Sequence, residues 1–157
     1  MVSIIVIVVI QKYRFRFAEK GSQEISSTSK QQMERLCSDL FVACDDGDVD
    51  ETLSLLKMGA DPNHTSSRGG YVGNYPIHAA ARSKSYRCVV ALVEAGARLD
   101  LRRKDGWTAL HNAVMRRDYE IVHYLLEQRP TLVLLKDENG NTPVDLAISK
   151  SVSDAIV

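Results

Sequence analysis

An all-α array of stacked helix pairs is the fold class this chain predicts, on three observations. The phrase YPIHAAA at Tyr75–Ala81 returns as TALHNAV at Thr108–Val114, with His78 and His111 33 residues apart and flanked by similar apolar neighbours. A fixed self-similarity of that length marks a repeated supersecondary unit. Apolar residues recur at a helical period on both sides of the phrase. Each pair of helical segments then closes in a polar connection, the expected punctuation between short packed helices.

The chain has 157 residues, which predicts one domain with a continuous core. It opens on MVSIIVIVVIQKYRFRF. The apolar run would span only about 15 Å as a helix, half of a bilayer's hydrocarbon core, and no basic residue precedes it as in a secretory signal. A membrane span is therefore not expected. Weak surface attachment through Lys12, Arg14, Arg16 and Lys20, with Tyr13, Phe15 and Phe17 as interfacial anchors, is one reading of the segment, beside a divergent secretory signal, an extra strand, a disordered arm or an artefact of the assigned start. The polar stretch EKGSQEISSTSK that follows reads as a linker, because it cannot bury enough apolar surface to offset its ordering. Residues 1–28 are thus expected to be poorly ordered and residues 29–157 to form the repeat domain.

From Ser29 onward Met33, Leu36, Cys37, Leu40, Phe41 and Cys44 make one apolar stripe, with Ser27, Thr28 or Ser29 able to cap the helix. Gly47 breaks it, Val49, Leu53, Leu55 and Leu56 form the next apolar face, and Gly59 is a left-handed helix stop. Two helices joined by a tight turn result. The cadence recurs in IHAAARSKSYRCVVALVEAGARLD, in LHNAVMRRDYEIVHYLLEQRPTLV, and in a shortened form from GNTPVDLA onward.

These residues resemble the ankyrin-repeat family. The resemblance rests on GNYPIHAAARSKSYRCVVALVEAGARLD (73–100) and GWTALHNAVMRRDYEIVHYLLEQRPTLV (106–133), and covers Ser38–Val157. It implies an ankyrin-repeat solenoid of paired antiparallel helices with short β-hairpin-like finger loops. The units fall at about 29–69, 70–102, 103–136 and 137–157, the last one incomplete and ending one turn into its second helix. It also implies that His78 and His111 bridge backbone groups of adjacent units. Pro76 and Ala109 start first helices, where a missing amide hydrogen costs nothing. Small Ala80 and Ala113 let neighbouring helices approach.

Two departures from the family pattern stand out. The spacing between the first and second units is 37 rather than 33, so HTSSRGGYVGN is expected to be a longer, projecting finger. Arg129-Pro130 replaces the Gly-Ala helix stop, which predicts an altered and looser seating of the last unit.

Composition narrows the chemistry. Twenty basic and twenty acidic residues cancel, and no global field draws the chain to nucleic acid. Cys37, Cys44 and Cys88 are odd in number and lie in apolar helical contexts, the pattern of buried thiols in a reducing compartment. The cytoplasm, or the nucleus, is the expected location, and Asn63-His64-Thr65 is then a chance match to a glycosylation acceptor. The four histidines lack partners at metal-ligand spacing, and Asp45, Asp46 and Asp48 lack the rest of a calcium loop. No nucleophile elbow, P-loop or dinucleotide fingerprint occurs. No catalytic, metal or cofactor site is expected, and the reading is a monomeric, non-catalytic interaction module.

The family's binding face implies which residues would meet a partner. It comprises finger tips and the exposed side of each first helix. Carried onto this chain, it includes Tyr71 on the long finger, Arg102, Lys104 and Trp107 on the next, and Arg82, Met115 and Arg116 from first helices. Together they make an aromatic and basic patch suited to a protein partner with an acidic or amphipathic segment. Trp107 is its centre, because the only tryptophan stands at a usually polar finger position and large rigid side chains dominate binding energetics. The competing expectation is that Trp107 packs over a neighbouring finger and the arginines serve solubility. The alternative function is regulation of an enzyme such as a protein kinase, as small stand-alone ankyrin inhibitors do.

Overall fold

The helices of the computed structural model follow the apolar periods closely, and the places where they depart from them have local causes. The structure describes residues 27–66 and 73–155. The amino-terminal apolar and basic segment, the tip of the long finger with Tyr71, and the carboxyl-terminal Ile156 and Val157 lie outside the described residues. Seven α-helices occur among those described: α1 (Ser27–Asp46), α2 (Val49–Lys57), α3 (Pro76–Arg82), α4 (Tyr86–Glu94), α5 (Ala109–Met115), α6 (Tyr119–Gln128) and α7 (Pro143–Ala155). A 3-10 turn, Pro130–Leu134, lies between the last two, and no strand occurs among the described residues. Residues Met33–Val157 cluster as one compact unit.

Helices alternate between two layers. The first helices α3, α5 and α7 pack in sequence, as do the second helices α2, α4 and α6, and within a unit α3 packs on α4 and α5 on α6. The core lies between the layers: Leu40, Ile77, Leu92, Leu110, Ile121 and Leu125 are fully buried, with Ala80 and Ala113 at the closest approaches of first helices. The stripe of α1 is buried only from Cys37 inward, Met33 remaining half exposed. Thr52, outside the predicted apolar face of α2, is fully buried. Its hydroxyl donates to the Asp48 carbonyl at 2.6 Å and lies 3.5 and 3.8 Å from the thiols of Cys88 and Cys44. A polar atom is tolerated there because the next unit supplies a partner.

Each helix pair turns through one left-handed residue. Gly47 takes φ +74°, and the same place in the next two units is held by Lys84 at +60° and Arg117 at +56°. Glycine adopts this region freely, whereas a side chain there costs about 1 kcal/mol. Asp48 and Asp118 then cap α2 and α6 by accepting from the Glu51 and Ile121 amides at 3.0 and 3.1 Å. Gly59, as anticipated, ends α2 with φ +95°.

The last unit differs from its expectation. Instead of a turn and the start of a second helix, α7 runs straight through Ser151, the counterpart of Arg117, for 13 residues. At the altered stop, still within the third unit, the 3-10 turn inserts Leu132 fully into the core, and Arg129 pairs with Asp100 of the second unit at 3.0 Å.

Candidate protein-binding surface

The fingers are built from backbone pairing that repeats from unit to unit. In the third unit the Arg103 amide donates to the Trp107 carbonyl at 3.0 Å and the Gly106 amide to the Arg103 carbonyl at 2.9 Å. Asp137, Asn141 and Gly140 repeat the pattern at 2.8 and 3.1 Å in the fourth. The long finger closes at its base through Ser66, whose amide donates to the Asn74 carbonyl at 2.7 Å. Adjacent fingers are joined directly, the Glu138 amide donating to the Asp105 carbonyl at 3.1 Å. Gly106 makes that approach possible: it sits at φ +79°, and a Cβ there would lie 2.7 Å from the Glu138 nitrogen.

Two buried histidines anchor fingers to first helices. His78 accepts from the Tyr75 amide on Nδ1 at 3.3 Å, and its Nε2 lies 3.1 Å from the carbonyls of Leu101, at the end of its own unit, and Trp107, in the next. Two carbonyls require a donor, so Nε2 carries the proton and the ring is neutral. Burial pushes its pKa down to about 4, with the Arg103 charge acting the same way. His111 repeats the arrangement, accepting from the Thr108 amide at 3.1 Å and reaching the Asn141 carbonyl at 3.4 Å, and burial lowers its pKa as well. This is the bridging that the family resemblance implied. In the last unit Asp145 stands in this position and caps its own helix by accepting from the Thr142 amide at 2.8 Å.

Trp107 is half-buried on this scaffold. Its ring stacks on His111, centroids 6.1 Å apart and planes 24° from parallel, and the Arg103 guanidinium lies 4.6 Å from its centroid on a cation–π contact. Asp105 fixes that guanidinium at 2.6 and 2.7 Å. Burial works to raise the Asp105 pKa, but Arg103 and the Trp107 amide outweigh it and hold the carboxyl below its usual range. Trp107 is thus both a packing residue and a partly open, rigid face.

Arg103 is not among the residues that the sequence singled out. A signal for it exists: Asp137 opens the last finger as D-x-x-G-x-T, with its carboxylate accepting the Asn139 and Asn141 amides, whereas Arg103 holds that place in R-x-x-G-x-T. Asp105 takes over the acceptor role, and the arginine side chain is directed to the tryptophan.

The remaining predicted residues divide into two groups. Arg102 and Lys104 are exposed on the Trp107 finger, the methylenes of Lys104 lying over Gly73. Arg82 is half-buried at the end of α3, paired with Asp45 of the preceding unit, and borders a shallow recess beside Phe41, His78 and Arg103. Met115 and Arg116 stand at the far end of α5, about 9 Å along its axis from Ala109, which follows the Trp107 finger. There they line a recess with Lys84, Arg117 and Lys150. The basic residues therefore form a finger group and a turn group.

Burial raises the Cys44 thiol to about 12 and moves Cys37 upward as well, so neither offers a thiolate near neutral pH. Among the described residues no three His, Cys, Asp or Glu side chains are grouped to hold a metal ion, and no helix is long and apolar enough to cross a membrane.

The comparisons with known proteins agree with the architecture. The family model for ankyrin repeats matches residues 40–133, in three copies. Human transient receptor potential cation channel subfamily A member 1 is 37% identical over 84 residues, 54% of this chain and 8% of its own length. Human neurogenic locus notch homolog protein 4 is 37% identical over 103 residues, 65% of this chain and 5% of its own. Mouse ankyrin repeat and SOCS box protein 11 is 34% identical over 103 residues, 66% of this chain and 30% of its own length. The chain spans less than a third of each of these relatives.

Proposed function

The chain belongs to the ankyrin-repeat family, whose repeats mediate protein–protein interaction and are typically non-catalytic, and from that premise we propose that it is an adaptor whose finger edge and first-helix face bind a partner protein. The observation that carries the proposal is Trp107, held between Arg103 and His111 yet still half open, with Arg102 and Lys104 exposed beside it. A pre-ordered aromatic face loses little entropy on binding, and flanking cations steer an acidic segment towards it. Arg82, Met115 and Arg116 extend the surface along the first helices.

Affinity purification with the full chain, followed by titration of the recovered partners, tests this. Trp107→Ala and, separately, the exposed Arg102→Glu should each weaken the main partner, Trp107→Ala by about 2 kcal/mol or more, at a nearly unchanged far-ultraviolet spectrum. Retention of every partner by both variants at wild-type affinity refutes the assignment of the face. A kinase panel run with added protein separates the adaptor from an enzyme regulator, since an adaptor leaves turnover unchanged.

A further inference from the structure

The second helix of each of the first three units starts from one position of the repeat, held by Asp48, Ser85 and Asp118. The backbone there is alike in all three, with φ/ψ of −76°/101°, −88°/87° and −94°/91°. In the first and third units an anion is seated on it: Asp48 accepts from the Glu51 amide at 3.0 Å and Asp118 from the Ile121 amide at 3.1 Å, each amide belonging to the third residue of its helix. Ser85 makes no such bond to α4. Its hydroxyl is turned to the Gly47 carbonyl at 3.5 Å, longer than an ordinary hydroxyl hydrogen bond.

The flanking sequence carries a second, independent signal. Ser85 stands in Arg82-Ser83-Lys84-Ser85-Tyr86-Arg87, with arginine three places before it, lysine one before and arginine two after. A hydroxyl approached by that pattern of cations is selected by a kinase whose substrate groove is acidic. Lys84 and Arg87 are exposed, and neither joins an ion pair among the described residues. Lys84-Ser85-Tyr86 also matches Arg117-Asp118-Tyr119 of the third unit, where the anion is built in. Ser83 is placed differently, its hydroxyl lying 2.8 and 3.1 Å from the carbonyls of Cys44 and Ala80.

We propose that Ser85 is a phosphorylation site for a basophilic serine kinase, and that its phosphate supplies the anionic start of α4 that aspartate supplies in the units on either side. In the transfer, Oγ of Ser85 attacks the γ-phosphorus of magnesium-bound ATP. The Oγ–P bond forms as the bond from that phosphorus to the bridging oxygen breaks, ADP leaves, and the hydroxyl proton passes to the base of the kinase. The phosphate brings a charge of about −2 and three acceptor oxygens, and it reaches beyond the serine oxygen to the Cys88 amide, the third of α4, in a charge-assisted bond. Lys84 and Arg87 offset its charge. Tyr86, in the same turn, meets Tyr124 of α6 edge-on at 5.5 Å, so a firmer start to α4 also supports the joint with the third unit.

The test incubates the folded full chain with the catalytic subunit of a basophilic serine kinase and magnesium-ATP, locates the phosphate by tandem mass spectrometry, and compares melting temperatures. Ser85 should be the main site, and the phosphorylated chain should melt about 3 °C higher. Ser85→Asp should reproduce the rise without kinase. Ser85→Ala should abolish incorporation there and melt close to the wild type, because the serine has no cap to lose. An acidophilic kinase run in parallel should modify Ser85 at least about tenfold less. Absence of phosphate at Ser85, its appearance there only in denatured chain, or equal modification by the two kinases overturns the proposal. So does a phosphorylated chain or a Ser85→Asp variant that melts at or below the wild type.

Discussion

Acidification from about pH 7.5 to about pH 5 should loosen the joints between units, and the size of the effect can be worked from His78. Its ring is neutral, with Nε2 donating to the Leu101 and Trp107 carbonyls across the junction with the next unit and Nδ1 accepting an amide. Protonation would place a second donor on Nδ1 against the Tyr75 N–H in a buried site. The folded pKa is lowered from 6.5 to about 4, so as pH falls the unfolded chain takes up the proton first. Stability is therefore complete above the unfolded value and drains between about 6.5 and about 4. Linkage gives a loss of about 2 kcal/mol at pH 5, rising to about 3 kcal/mol below pH 4, from this one group. His111, lowered in the same direction, adds to it. Asp105 is held low instead, so its contribution is lost only below the ordinary carboxylate range and leaves this window to the histidines. Urea unfolding followed by circular dichroism at the two pH values, for the wild type and His78→Gln, measures the effect. The wild type should lose about 2 kcal/mol or more between them, and His78→Gln, less stable at the outset, should lose about 2 kcal/mol less than the wild type. An unchanged wild-type stability, or an undiminished difference in His78→Gln, would refute the reasoning.

Other perturbations probe other contacts. Gly106→Ala places a Cβ 2.7 Å from the Glu138 nitrogen at a positive φ and should cost about 2 kcal/mol or more, read as a lowered melting temperature. Thr52→Val removes the hydroxyl between Asp48, Cys44 and Cys88 at nearly constant volume, and a loss of about 1–2 kcal/mol is expected in urea. In the native protein Cys37, Cys44 and Cys88, all buried, should resist iodoacetamide at mildly alkaline pH and react fully in denaturant; rapid native labelling followed by mass spectrometry would show that the packing around Thr52 is wrong.

The sequence was most informative where the same local solution is written more than once. The helix pairs and the Gly47 break were legible because period, phrase and spacing repeat within about one unit, and the histidine bridges were what the family resemblance implied. What escaped depended on neighbours more distant in sequence. Met33 fits the α1 stripe but is half exposed, since a periodic pattern does not say how far a helix is covered. Thr52 looks surface-like until Cys88, 36 residues on, is placed against it. The course of α7 through Ser151 has no signal in the GNTPVDLA phrase, which starts the last unit just as the corresponding phrases start the others. At the candidate surface Trp107 was conspicuous as the single tryptophan, whereas Arg103 required a comparison of two fingers at matched positions.

The joints between units have one more consequence. They are made chiefly of uncharged donors and acceptors: His78 to Leu101 and Trp107, His111 to Asn141, Asn112 to the His78 carbonyl at 3.2 Å, and Asn63 to Gly96 and Arg98 at 3.1 and 2.8 Å. Ionic strength screens charges but hardly touches such bonds. Raising salt should therefore leave the stack intact while it slows any encounter led by the arginines and lysines, so cohesion and recognition in this chain answer to different solution variables.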